Sequence, residues 1–144
     1  MRKIFLSLQI ILLVVSLAGC SPSFDPKAEE HFRQGIEYER QDNDALAMQE
    51  FTKAIEIDPD YTYAYYNRAL AYYRNHDYAN SIVDYNKAIE LSPDNVYWIL
   101  ERGFVYMKNG EPDKAILDLE RGKELGVPSE YKEIVDQTLA QLKQ

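Results

Sequence analysis

Cysteine occurs once in this 144-residue chain, so no intrachain disulfide can staple it. Histidine occurs twice, at His31 and His76, and neither has cysteine, serine-elbow or carboxylate company at a catalytic or metal-ligand spacing. No glycine-rich phosphate loop and no HExxH stretch is present. These gaps leave no nucleophile, metal centre or cofactor cradle, and the chain reads as a non-enzyme without a cofactor. Basic residues are scarce: 16 Lys and Arg stand against 24 Asp and Glu, for a net charge of −8. No basic cluster offsets that balance, so long-range attraction to nucleic acid or anionic lipid is excluded.

What is present begins at the amino end. Arg2 and Lys3 precede a stretch, residues 4–18, that is apolar except for Ser7, Gln9 and Ser16. This is the charged-then-apolar pattern of a secretory signal. It is short for a membrane span, which needs about 20 apolar residues. Leu17-Ala18-Gly19-Cys20 follows and resembles the lipobox of bacterial lipoproteins. The resemblance implies a signal peptide over residues 1–19, removed before Cys20, and a diacylglyceryl thioether plus an N-acyl chain on Cys20. A single acyl chain holds a protein only marginally, whereas two or more anchor it stably. Loss of Arg2 and Lys3 would take the net charge from −8 to −10. Residues 20–25 form a short tether, and at about 3.5 Å per residue it keeps the folded part within roughly 20 Å of the lipid. A partner must then come close to the membrane. Ser21 after the cysteine resembles outer-membrane sorting, facing the periplasm, rather than inner-membrane retention.

The rest of the chain repeats itself. Phe51, Tyr85 and Leu119 are 34 residues apart, as are Ala54, Ala88 and Gly122, and Gly35, Ala69 and Gly103. Tyr38, Tyr72 and Tyr106 share one register, Ala47, Ser81 and Ala115 another, and Pro59 maps to Pro93. A fixed period of this length marks a solenoid. Helical spacing of apolar residues places helices at about 26–41, from Asp44 onward, and over 61–74, 78–91, 95–108 and 112–125. Asp25-Pro26 reads as a cap and first-turn proline, and Pro59 and Pro93 are expected to open the next helix. The Gln41-Asp42-Asn43-Asp44 turn lacks the glycine and downstream glutamate of a calcium loop, and Asp44 is expected to cap the second helix. Gly126-Val127-Pro128 breaks the array, and residues 129–143 put Tyr131, Ile134, Val135, Leu139 and Leu142 on one apolar face, as a terminal cap requires.

These registers resemble the tetratricopeptide repeat (TPR). Repeat one carries Gly35, Tyr38, Ala47, Phe51, Ala54 and Pro59, repeat two Tyr65, Ala69, Tyr72, Ser81, Tyr85, Ala88 and Pro93, and repeat three Gly103, Tyr106, Ala115, Leu119 and Gly122. The third proline is displaced by one place to Pro128, and the usual tryptophan position holds His31, Tyr65 and Ile99. The resemblance implies an all-α, right-handed helical-hairpin solenoid of three TPR repeats over residues 26–128, plus a capping helix over 129–144.

The resemblance also implies a concave binding groove lined by the first helix of each repeat. Its positions fall on Glu29, Phe32, Arg33, Ile36, Glu39 and Arg40, then on Tyr63, Tyr66, Asn67, Leu70, Tyr73 and Arg74, then on Tyr97, Leu100, Glu101, Phe104, Met107 and Lys108. Four cations and three anions make this face about neutral, so the rest of the chain after Cys20 carries about −11. TPRs that hold chaperone carboxyl termini use a lysine–asparagine–asparagine–lysine–arginine clamp. Here Asn67 matches its middle asparagine, but Arg33 replaces the first, and Tyr97 and Glu101 stand at the later lysine and arginine positions. The expected occupant is therefore an apolar or mixed-charge protein or peptide segment. The expected function is a lipid-anchored adaptor of the bacterial envelope. The alternative is a self-assembling structural lipoprotein, a homo-dimer through its capping helix, or an assembly factor of the pilotin kind for a pilus, secretin or outer-membrane machine.

Overall fold

The structure, a computed structural model, describes residues 25–144. The signal-like stretch and Cys20 lie outside the described residues. Seven helices follow one another with no strand among the described residues: α1 (Pro26–Arg40), α2 (Asp44–Ile57), α3 (Thr62–Arg74), α4 (Tyr78–Leu91), α5 (Val96–Lys108), α6 (Pro112–Leu125) and α7 (Ser129–Leu142). Each packs chiefly on its neighbours in the chain. The result is a helical-hairpin solenoid of three pairs closed by α7. No helix among the described residues is long and apolar enough to cross a membrane.

The turns inside the hairpins repeat as faithfully as the helices. Asp42, His76 and Gly110 occupy one register, and all three take positive φ, at 54°, 60° and 77°. In the first two turns the next residue caps the second helix, Asn43 accepting from the Leu46 amide and Asp77 from the Asn80 amide, while Glu111 makes no such bond in the third. Asn43 thus performs the capping expected of Asp44, which sits one residue inside α2. Asp25 caps α1 by accepting from Lys27 N, with Pro26 at the first helical position. Pro59 and Pro93 do not open α3 and α5. They sit in the turns, and Thr62 and Val96 begin those helices.

Close approach of the two helices in a pair depends on small residues. Ala47, Ser81 and Ala115 are fully buried, as are Ala54 and Ala88. A Cβ on Gly35 would overlap the buried Phe51 ring, and one on Gly122 would overlap Leu100. Phe51, Tyr85 and Leu119 then fill the space between helices, each contributing roughly 1.5–3 kcal/mol of burial. Two bidentate ion pairs recur at the same spacing. Arg68 grips Asp84 at 2.7 and 2.8 Å, and Arg102 grips Asp118 at 2.7 Å through both nitrogens. Repeat one has Gln34 at the arginine position, and its Glu50 is instead held by His31 at 2.6 Å and Lys53 at 2.7 Å.

The capping helix seals the last hairpin through Leu100, Leu119, Val135 and Leu139, with Tyr131 and Leu142 packed beside them. Ile134, expected on that face, is 48% exposed, and Thr138 is buried in its stead. The 3.6-residue period brings residues 131, 135, 138, 139 and 142 onto one side and carries 134 past it.

Candidate functional site

The first helices of the three pairs supply α1, α3 and α5, and the expected groove residues on them meet different fates. Tyr63 and Tyr97 are one period apart and stand 54% and 44% exposed, the clearest aromatic surface on these helices. Arg33, Arg40, Arg74 and Lys108 are exposed, while Asn67 donates to the Tyr63 carbonyl at 2.7 Å. Phe32 turns inward, with ring centroids 4.9 Å from Tyr61 and 5.7 Å from Phe51, and Ile36 is half-buried. Tyr66 stacks on Trp98 at 5.3 Å and meets Tyr85 edge-on at 6.1 Å. Leu100 is a correction: it is 0% exposed, inside the cluster that α7 closes, and touches no solvent. Its neighbour Glu101 faces the groove because one residue turns a helix by about 100°.

Charge on the face is already partly spent. Arg74 binds Glu39 at 2.5 Å and Asp44 at 2.6 and 2.8 Å, which ties the first pair to the second. Those carboxylates hold the guanidinium well above its usual range, against the pull of burial. Glu29 accepts from the Tyr61 hydroxyl.

One concavity of about 300 Å³ gathers the remaining chemistry. Leu70, Tyr73, Glu101 and Phe104 line it, all four being expected groove residues. Tyr85 from α4, Val105 from α5 and Tyr131 from α7 complete it, and none of the three was expected there. The Tyr85 hydroxyl donates to Glu101 at 3.1 Å. Burial pushes the Glu101 carboxyl above the ordinary glutamate range, and the hydroxyls of Tyr85, Tyr66 and Tyr131 draw back only part of that shift. Burial and the adjacent Glu101 charge push the Tyr66 and Tyr85 hydroxyls well above the ordinary range, so both stay protonated. A signal for Tyr85 did exist in the sequence. Its register holds Phe51 and Leu119 on either side, so a hydroxyl appears where the flanking repeats have none, and a buried hydroxyl needs a partner. Tyr131 had no such signal, because only the seating of α7 carries it across.

Among the described residues no group of three or more His, Cys, Asp or Glu side chains is placed to hold a metal ion. His31 is engaged with Glu50, and His76 Nδ1 lies 2.9 Å from the Tyr78 hydroxyl.

Residues 62–95 match the tetratricopeptide repeat family model, and residues 35–75 match a TPR repeat model. The chain is similar to the first TPR of Spaghetti (RPAP3) bound to the HSP90 peptide SRMEEVD, at 26% identity over 82% of this chain and 94% of that one, with a TM-score of 0.74. It is similar to the TPR2B domain of yeast Sti1 in its pHsp70 complex, at 25% identity over 83% and 98%, with a TM-score of 0.73. The Arabidopsis OM64 TPR domain shares the fold at 20% identity over 80% and 95%, with a TM-score of 0.73. No curated protein is similar enough to count as a match. Residues 35–95 thus match TPR repeat models, and the architecture is that of the TPR-type solenoid.

Proposed function

We propose, from the premise of a TPR-type solenoid, that this protein is a non-enzymatic adaptor that holds a segment of a partner protein along α1, α3 and α5. The observation that carries the reading is the pair of exposed rings, Tyr63 and Tyr97, one period apart on the inner helices. Rigid amphipathic rings contribute much contact area for little lost entropy. Support comes from two similar TPR domains, one bound to an HSP90 peptide and one in a pHsp70 complex. The acidic HSP90 peptide SRMEEVD is a poor guide to this ligand, because Glu101 stands here at the clamp's arginine position. A photo-crosslinking residue at Tyr97 in the native cell, with a control at Lys87 on α4, tests the groove. A protein band unique to Tyr97 supports it, and bands only from Lys87 overturn it. Tyr63→Ala plus Tyr97→Ala is the matching loss-of-capture variant. Tyr66 is a poor choice, since its ring stacks on Trp98 and also meets the buried Tyr85, whereas the 54%-exposed Tyr63 meets Trp98 only edge-on.

The anchor belongs to the same reading: lipid on Cys20 would hold the adaptor at the bacterial envelope, at the outer membrane facing the periplasm. Metabolic labelling with an alkyne fatty acid checks this, and label that persists in Cys20→Ala overturns it. Self-association through α7 is the second reading, favoured by the exposed Ile134 on the cap. Light scattering that finds a monomer at tens of micromolar removes it.

A further inference from the structure

Buried carboxylates in this protein ordinarily meet a cation. Asp84 meets Arg68, Asp118 meets Arg102, and Glu50 meets both His31 and Lys53. Glu101, half-buried, departs from that habit. It accepts from Tyr85 and faces the hydroxyls of Tyr66 and Tyr131, and among the described residues no Lys, Arg or His pairs with it. Hydroxyls solvate a carboxylate without cancelling its charge, and an uncompensated charge removed from water is costly. Arg74, on the neighbouring inner helix, is held by Glu39 and Asp44.

The space in front of Glu101 is suited to supplying the missing cation from outside. It is an open concavity of about 300 Å³, large enough for the end of a long side chain. Tyr73, Phe104 and Tyr131 present aromatic rings to it, and ring faces attract cations. Leu70 adds an aliphatic wall on which methylenes can lie. An acidic side chain would meet like charge and aromatic faces, and would be rejected.

We propose that this pocket receives a lysine side chain from the partner segment, its ammonium group at Glu101 and its methylenes against Leu70 and Phe104. The proposal rests on the groove reading above and specifies its ligand: a segment with a lysine amid apolar residues, in place of an acidic carboxyl terminus. The ammonium donates to Glu101 and to the hydroxyl oxygens of the surrounding tyrosines, which keep donating their own protons to the carboxylate.

The test titrates the full chain, in mild detergent and with isotope-labelled tyrosine rings, against Nα-acetyl-lysine N-methylamide. Two matched probes, the norleucine and glutamate analogues, are titrated alongside. The expected result is saturable shifts at Tyr85 and Tyr131 with the lysine probe, at least tenfold weaker with norleucine and absent with glutamate. Glu101→Gln should weaken lysine binding by a similar factor. Equal binding of lysine and norleucine, or preference for glutamate, overturns the proposal. That comparison uses the unsubstituted chain, so it decides the matter even if Glu101→Gln does not fold. A captured partner whose crosslinked segment has no lysine overturns the pocket chemistry and leaves the groove standing. Lysine binding without any partner captured from Tyr97 overturns the groove and leaves the pocket chemistry standing.

Discussion

The junction between the first and second repeats and the junction between the second and third join equivalent helices, yet they are not held in the same way. At the first, Tyr61 is 2% exposed and packs on Phe32 at 4.9 Å, and beside it Arg74 of α3 reaches Glu39 of α1 and Asp44 of α2, with Asn75 adding a bond to Asp44 at 3.3 Å. At the second, Trp98 of α5 is 5% exposed, stacked on Tyr66 and met edge-on by Tyr63 at 5.8 Å. Partly exposed ion pairs exchange water for a partner of similar quality and return little net energy. Buried rings remove a large apolar area from water and are held in fixed geometry. A regular repeat therefore does not imply regular cohesion. Both junctions thus bury an aromatic ring, Arg74 adds a partly exposed ion-pair cluster to the first, and the second carries the Glu101 pocket.

The comparison predicts where substitutions will be felt. Trp98→Ala should cost about 3–5 kcal/mol, because it empties the middle of the second junction; chemical denaturation measures it, and a cost below 1 kcal/mol would deny that junction its strength. Gly35→Ala should cost about 1–3 kcal/mol despite the better helix propensity of alanine, since the new methyl overlaps a ring that is 0% exposed. The same measurement on Ala69→Gly in repeat two should show a loss rather than relief, as Ala69 already fits. Arg74→Ala should cost under about 1 kcal/mol at low salt and almost nothing in molar salt, because screening removes what the pair contributes. A large, salt-insensitive cost would erase the contrast between the junctions.

Acid should act on the first pair through Glu50. Burial works to raise the Glu50 carboxyl, but hydrogen bonds from Lys53 and His31 outweigh it and hold the group below its ordinary value. A depressed carboxylate contributes stability that is complete above the unfolded pKa and lost as pH falls through the folded one. Amide exchange should therefore show α1 and α2 losing protection as pH falls from about 5 to 3, and Glu50→Gln should remove most of that pH dependence. An unchanged pH dependence in Glu50→Gln would mean that Glu50 carries no share of first-repeat stability.

Much of the fold was legible because a 34-residue period repeats its own instructions. Gly35, Phe51 and Ala54 have counterparts one period on, so each supports the reading of the others. The left-handed turn at Asp42 was harder to see, since its partners are a histidine and a glycine that share only a backbone conformation. The ion pairs Arg68–Asp84 and Arg102–Asp118 also lie in one register, but charges on helices read as solvated until their burial is known. Of the groove, the row of inner-helix positions could be counted off, but not which members face outward. Leu100 and Glu101 are adjacent, and only packing against α7 sends one into the core and leaves the other in the pocket.

The sequence by itself determined the number of hairpins, their order and the small residues at which they touch, because those depend on local helix periodicity repeated at fixed spacing. It also determined the acidic balance that turns the chain away from nucleic acid. Tertiary structure alone decided that Glu101 is encircled by tyrosines from α3, α4 and α7 with no cation among them. Those groups lie far apart in the chain, and no periodicity links α7 to α3. Their meeting depends on how each hairpin rotates against the next, which is set by the packing of whole side chains rather than by the pattern that places them.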